Sequence, residues 1–148
     1  MGVRRIDLVN CWRVHKSYFS TDRIDPASLR EQLVLGCEQG GTTWVPDIAV
    51  HPVLMTFIRE VLPSNLDGCA HRLIAHPRSS TYLEQVVPRG ATGRVTLAIG
   101  PEGGWIDREL DTFADLGFAA VALGARVLRV EAAAIALLAQ LELLQRER

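Results

Sequence analysis

Lysine is almost absent from this chain: of its 16 basic residues only Lys16 is lysine, and the rest are arginine. Set against 17 acidic residues they leave a formal charge of −1, which excludes a broadly basic coat for nucleic acid but not a local patch. Cysteine is also scarce. Cys11, Cys37 and Cys69 are odd in number and form no C-x-x-C pair, so the expectation is free thiols in a reducing compartment rather than a disulfide framework. His15, His51, His71 and His76 have no metal-ligand spacing with those cysteines, and no metal is expected. There is no apolar run of membrane-spanning length and no signal-peptide pattern, so the sequence predicts no membrane association and a cytoplasmic location. Repeats, low-complexity tracts and linkers are missing too. The 148 residues, 48% of them hydrophobic, therefore read as one globular domain with a real core.

What is present is an alternation of strand-like and helix-like segments. Arg4–Asn10, Val45–Val50, Arg72–Ala75, Val95–Ile99 and the run Ala119–Leu123 are predicted strands. Asp25-Pro26 pairs a capping residue with a proline suited to the first helical position, and Leu29, Leu33 and Cys37 mark the face of a helix over Pro26–Gln39. A second helix over Val53–Leu62 is expected to stop at Pro63. Asp107 is placed to cap a third, with Leu110, Phe113 and Ala114 inward and Gly117 ending it. Alanine and leucine dominate a fourth, from Val130 to about Arg146. Such alternation predicts an α/β fold with a mainly parallel sheet covered on both faces.

Two of the predicted strands end in turns of unusual composition. After Val95–Ile99 comes Gly100-Pro101-Glu102-Gly103-Gly104-Trp105-Ile106, and after Ala119–Leu123 comes Gly124-Ala125-Arg126-Val127-Leu128-Arg129-Val130-Glu131. Carboxyl ends of parallel strands form the crevice where nucleotide-like ligands sit, and glycine lets a ligand reach bare backbone. The two loops are thus candidates to hold one small molecule. Trp105 either lids that loop or fills core space. Arg4, Arg5, Arg13 and Lys16 form a basic cluster suited to phosphate groups or to an ordinary solvated face. In the last helix Ile135, Leu137, Leu138, Leu141, Leu143 and Leu144 cover more than one apolar stripe, which points to a homodimer unless both faces pack within the monomer.

The run Ile99-Gly100-Pro101-Glu102-Gly103-Gly104, the pair Leu123-Gly124 and the run Arg126-Val127-Leu128-Arg129-Val130-Glu131-Ala132-Ala133 closely resemble the signature of the RsmE family. Glu38-Gln39-Gly40-Gly41-Thr42-Thr43-Trp44-Val45-Pro46 is similar to that family's Glu-Gln motif, and Arg4-Arg5-Ile6 through Lys16-Ser17-Tyr18 to the segment opening the second strand of its catalytic domain. Two departures stand out. Val130 and Ala132 replace threonines of the family pattern, and Gly41 and Thr42 stand where a polar residue such as arginine often follows the Glu-Gln motif.

The resemblance implies a SPOUT (α/β knot) methyltransferase fold over residues 1–148, with a C-terminal deep trefoil knot, a rare exception to unknotted folding. It also implies that relatives carry an N-terminal PUA-like barrel that this stretch lacks. The implied cofactor is S-adenosylmethionine, and the implied activity is methylation of uridine N3 in 16S ribosomal RNA of the small subunit. Ile99, Gly100, Pro101, Glu102, Gly103, Gly104, Leu123, Gly124, Val127, Leu128 and Ala133 are the implied cofactor residues, with Glu102 accepting backbone donors of its own turn. Uridine N3 must lose its proton before it can act as a nucleophile, so Arg129 and Arg126 are candidates to stabilise the anion, and Glu131 to orient an arginine or accept a proton. The alternative is a non-catalytic SPOUT-like dimer that keeps cofactor binding without modifying RNA.

Overall fold

The Asp25-Pro26 pair starts the first helix of the computed structural model, which describes residues 2–14, 17, 19 and 24–146. Asp25 Oδ2 accepts from the N–H groups of Ala27 and Ser28 at 3.0 and 3.2 Å, and Pro26 occupies the first turn, where its missing N–H has no helical partner to lose. Helix α1 (Pro26–Gln39) is as predicted. It lies beside a two-stranded parallel sheet, β1 (Arg5–Val9) and β2 (Asp47–His51), in register from Arg5 opposite Asp47 to Val9 opposite His51. Strand β2 starts two residues later than expected. Pro46 has no N–H to give a ladder, and the first inter-strand donor is Asp47 N–H to the Arg4 carbonyl at 3.0 Å.

Pro63 does not end the second helix. Helix α2 (Leu54–Thr56) widens into a π-helical turn (Phe57–Val61), in which Leu62 N–H donates to the Phe57 carbonyl five residues back, and α3 (Leu62–Asn65) follows. The wider turn puts Pro63 in the first turn of α3, where no N–H is needed, and the buried Phe57 and Ile58 hold it against the core.

A three-stranded parallel sheet follows, in the order β4 (Arg94–Ile99), β3 (Cys69–Ala75), β5 (Ala119–Val121). Short α4 (Leu83–Val86) joins β3 to β4, α5 (Asp107–Asp115) joins β4 to β5, and α6 (Val130–Gln145) closes the described chain. Strand β5 stops at Val121 rather than Leu123, and Ala122 makes only a single bridge to Tyr82. At the start of α5 the sequence expectation needs correcting. Asp107 is the first helical residue and Ile106 the cap; the cap's free N–H goes to Glu109 Oε2 at 3.0 Å.

Successive residues of a strand point to opposite faces, so Leu73 and Ile74 seed two cores. Ile74 packs with Cys11, Phe57, Ile58, Trp105, Phe113 and Phe118. Leu73 packs with Leu83, Val87, Val121, Leu137, Leu141 and Leu144. Helices α4 and α6 thus cover one face and α5 the other. Internal packing does not absorb all of α6, because Ile135 and Leu143 are 61% and 54% exposed.

Candidate functional site

Adjacent strands β3 and β4 send their following helices to opposite faces, α4 to one and α5 to the other. A change of that kind opens a crevice at the strands' carboxyl ends. Here Trp105 fills it: its indole Nε1–H donates to the Ala75 carbonyl at 3.1 Å, its ring meets Phe113 edge-on at 5.3 Å, and only 7% of it is exposed. Of the two roles open to Trp105, core filling is the one the structure shows.

The glycine loop is shaped by these contacts. A Cβ on Gly100 would lie 2.9 Å from the Trp105 indole, and one on Gly103 would lie 2.9 Å from Arg13 Cβ. Both glycines are therefore bare for intramolecular reasons. Gly104, at φ +71 with nothing near its absent Cβ, provides the turn, closed by Gly104 N–H to the Pro101 carbonyl at 2.8 Å. Glu102 is exposed and accepts no hydrogen bond among the described residues, so the expected backbone capping by its carboxylate is not formed. Ile99 is half-buried with the Leu73 core.

Beside this plug a small cavity of about 50 Å³ opens between the loops after β3 and β5. It brings together Leu123, Gly124, Arg126, Leu128 and Ala133 of the sequence-predicted residues and adds Ala75, His76, Pro77 and Val121. Gly124 has open space where a Cβ would stand, so a ligand can lie directly on its backbone. Residues 99–104 do not line the cavity; Trp105 couples their loop to Ala75 at its rim. Val127 and Leu128 are 76% and 44% exposed, and of the two only Leu128 lines the cavity. Arg129 is the N-cap residue of α6 and Glu131 is in its first turn; both are exposed, and neither they nor Arg126 form an ion pair among the described residues. The loop after β3 went unnoticed in the sequence because His76-Pro77 carries no glycine signature, although the strand-end rule that singled out the other two loops applies to it equally.

A larger hollow of about 430 Å³ lies along α6, lined by Tyr82, Glu84, Arg89, Ala122, Leu123, Gln140, Leu143 and Leu144. Size alone favours it as the ligand site. Four of its eight lining residues, Glu84, Gln140, Leu143 and Leu144, come from α4 and α6, and it is continuous with the exposed Leu143 and Tyr82, whereas the smaller cavity has the bare backbone of a strand end.

Of the predicted basic cluster, Arg4 is exposed just before β1. Arg5 is committed to Asp7 through two 2.8 Å hydrogen bonds, Arg13 Nη1 donates to the Gly103 carbonyl at 2.7 Å, and His15 and Lys16 lie outside the described residues. Burial raises the Asp7 carboxyl, but hydrogen bonds from Arg5 and from His51 Nε2, the latter 2.7 Å away, outweigh it and hold the group below the usual carboxylate range. Burial pushes the Cys11 thiol up to about 12, with the Glu109 carboxylate adding to the effect, so Cys11 is an inert core residue. Among the described residues no group of three or more His, Cys, Asp or Glu side chains is placed to hold a metal ion, and no helix is long and apolar enough to cross a membrane.

Parallel strands that gather glycine-bearing loops and a bare-backbone cavity at their carboxyl ends define an α/β domain with an open strand-end pocket. The chain belongs to the RNA methyltransferase domain family, which it matches over residues 1–142. It is 32% identical over 137 residues to the ribosomal RNA small subunit methyltransferase E of Treponema pallidum, covering 92% of this chain and 51% of that protein. Solved structures similar to it include the following two. One, a Legionella pneumophila protein described as a methyltransferase and solved with bound SAM, superposes with a TM-score of 0.75 at 30% identity, over 95% of this chain and 55% of that one. The other is the Neisseria gonorrhoeae ribosomal RNA small subunit methyltransferase E bound to S-adenosyl methionine, with TM-score 0.75, 26% identity and the same coverages. The chain thus spans about half the length of these relatives.

Proposed function

We propose that this chain is the S-adenosylmethionine-binding SPOUT domain of a methyltransferase acting on N3 of a uridine in 16S ribosomal RNA of the small subunit, in the cytoplasm. The observation that carries the proposal is the cavity in which Gly124 backbone, Leu123, Leu128 and Ala133 meet the end of β3, in a chain whose relatives are solved with that cofactor. Apolar side chains around bare backbone suit a purine ring, which needs flat walls and a few backbone partners. A volume of about 50 Å³ is too small to enclose the whole cofactor, so binding is expected to draw the exposed Val127 and Leu128 over it. When bound, the cofactor supplies a methyl group activated on a sulfonium.

The chain's own residues act on the nucleobase. Arg126 at the cavity and Arg129 at the head of α6, without an ion-pair partner among the described residues, provide guanidinium groups to stabilise the imide anion left when N3 loses its proton. Glu131, without a partner among the described residues, is free to orient one of them or to take that proton. Leu128 and Val127 exclude water. The C-terminal knot is proposed as well: α6 ends against the connection from α4 to β4, with Gly90 N–H on the Leu144 carbonyl at 2.7 Å and Gln145 Nε2 on the Gly93 carbonyl at 3.0 Å. A homodimer would cover Ile135, Leu143 and Tyr82 around the larger hollow.

Transfer of a radiolabelled methyl group to small-subunit RNA tests the activity. Incorporation at uridine N3, abolished in Arg129→Ala with cofactor affinity kept, is the expected result. Cofactor binding without any incorporation would instead support the non-catalytic SPOUT-like reading, which the missing hydroxyls at Val130 and Ala132 favour.

A further inference from the structure

Trp12 is 80% exposed, yet it is not on a loose loop. Its backbone N–H donates to Glu109 Oε1 at 3.0 Å, and Glu109, a carboxylate only 3% exposed, also receives the N–H of Ile106. The residue before it, Cys11, is buried in the core, and the residue after it, Arg13, is tied by Nη1 to the Gly103 carbonyl. An exposed aromatic alone means little on a protein surface. A buried carboxylate is costly to keep, however, and here both its oxygens hold backbone of the two loops that frame Trp12. The indole is therefore held out in water on the glycine-loop side of the strands' carboxyl ends, and the next residue in the chain, Arg13, places its guanidinium on the Gly103 carbonyl of that loop.

We propose that Trp12 and Arg13 receive one unpaired nucleotide of single-stranded RNA next to the target, the indole stacking on its base and the guanidinium meeting its phosphate. This rests on the proposed RNA substrate. An aromatic face beside an arginine is the pairing that binds single strands without regard to sequence, since every base offers a π-face. The free edge of the Arg13 guanidinium remains available, because among the described residues only Nη1 is engaged. Trp44 provides an internal control. It is 62% exposed but precedes β2, at the opposite end of the β1–β2 sheet from Trp12.

The test is fluorescence anisotropy of a labelled twelve-nucleotide oligouridine against the whole chain, with calorimetry of S-adenosylmethionine on the same samples. Trp12→Ala should bind the oligonucleotide about tenfold to a hundredfold more weakly, while Trp12→Phe keeps most of the affinity and Trp44→Ala all of it. Arg13→Ala should reduce the slope of log affinity against log salt by about 0.7. Unchanged affinity in Trp12→Ala, equal loss in Trp44→Ala, or no binding by the unaltered chain would overturn the proposal. A loss of dimer mass in Trp12→Ala by light scattering would reassign Trp12 to a protein contact and overturn it as well. Cofactor binding is read separately, so failure of the methyltransferase reading appears as absent calorimetric heat with oligonucleotide binding intact.

Discussion

Trp105 Nε1–H and the carbonyl of Ala75 meet at 3.1 Å, joining the loop after β4 to the last residue of β3. That bond closes the crevice between the two strands and leaves the small cavity on the β5 side. The glycine loop reaches the rim of that cavity through Trp105 and does not line it.

Replacing Trp105 tests this coupling. Trp105→Ala should cost about 3–5 kcal/mol of stability, the usual range for emptying a buried aromatic site, and Trp105→Phe, which loses the hydrogen bond but keeps most packing, about 1–2 kcal/mol. Gly100→Ala, whose Cβ would lie 2.9 Å from the indole, should cost about 1–3 kcal/mol by overpacking. Urea unfolding measures all three, and a neutral Gly100→Ala would show that the indole does not rest on that glycine.

Glu109 should be needed as a carboxylate rather than as a shape. Its two oxygens accept from Trp12 N–H and Ile106 N–H, and an amide has one acceptor and a donor that would face an N–H. Glu109→Gln is expected to lose about 1–3 kcal/mol, with hydrogen exchange at the Trp12 and Ile106 amides accelerating. Protection unchanged at both amides would refute the clamp.

Much of the fold is legible in the sequence where the cause is local. The boundaries of α1 follow from Asp25-Pro26 and Gly40-Gly41, and the end of β4 from an apolar run meeting Gly-Pro, whereas β5 stops two residues short of Leu123-Gly124. Pro63 misleads because the π-helical turn that admits it depends on Phe57 and Ile58 packing against distant strands. Of the candidate site, Leu123, Gly124, Arg126, Leu128 and Ala133 do converge. His76 and Pro77 join them only because β3 lies between β4 and β5, an order that residue spacing does not encode.

Acid should weaken the protein partly through Asp7. Its folded pKa is lowered, so its contribution is fully present above the ordinary carboxylate value of 3.8 and is lost as pH falls below it through the folded value. Asp7→Asn should be less stable than the unaltered chain at neutral pH, and the gap should shrink steadily on acidification below about pH 4. Urea midpoints across that range measure it, and a constant gap would mean that Asp7 is not held by Arg5 and His51 as described.

Calorimetric titration with S-adenosylmethionine tests the central claim most directly. The account predicts one saturable site per chain and an affinity reduced at least about tenfold by Gly124→Val, which sets a branched side chain at φ +155 where the ligand needs open backbone. Leu128→Asp, on the lip of the cavity, should weaken binding while leaving the fold intact. Absence of binding by the unaltered chain, or full affinity in a folded Gly124→Val variant, would contradict it.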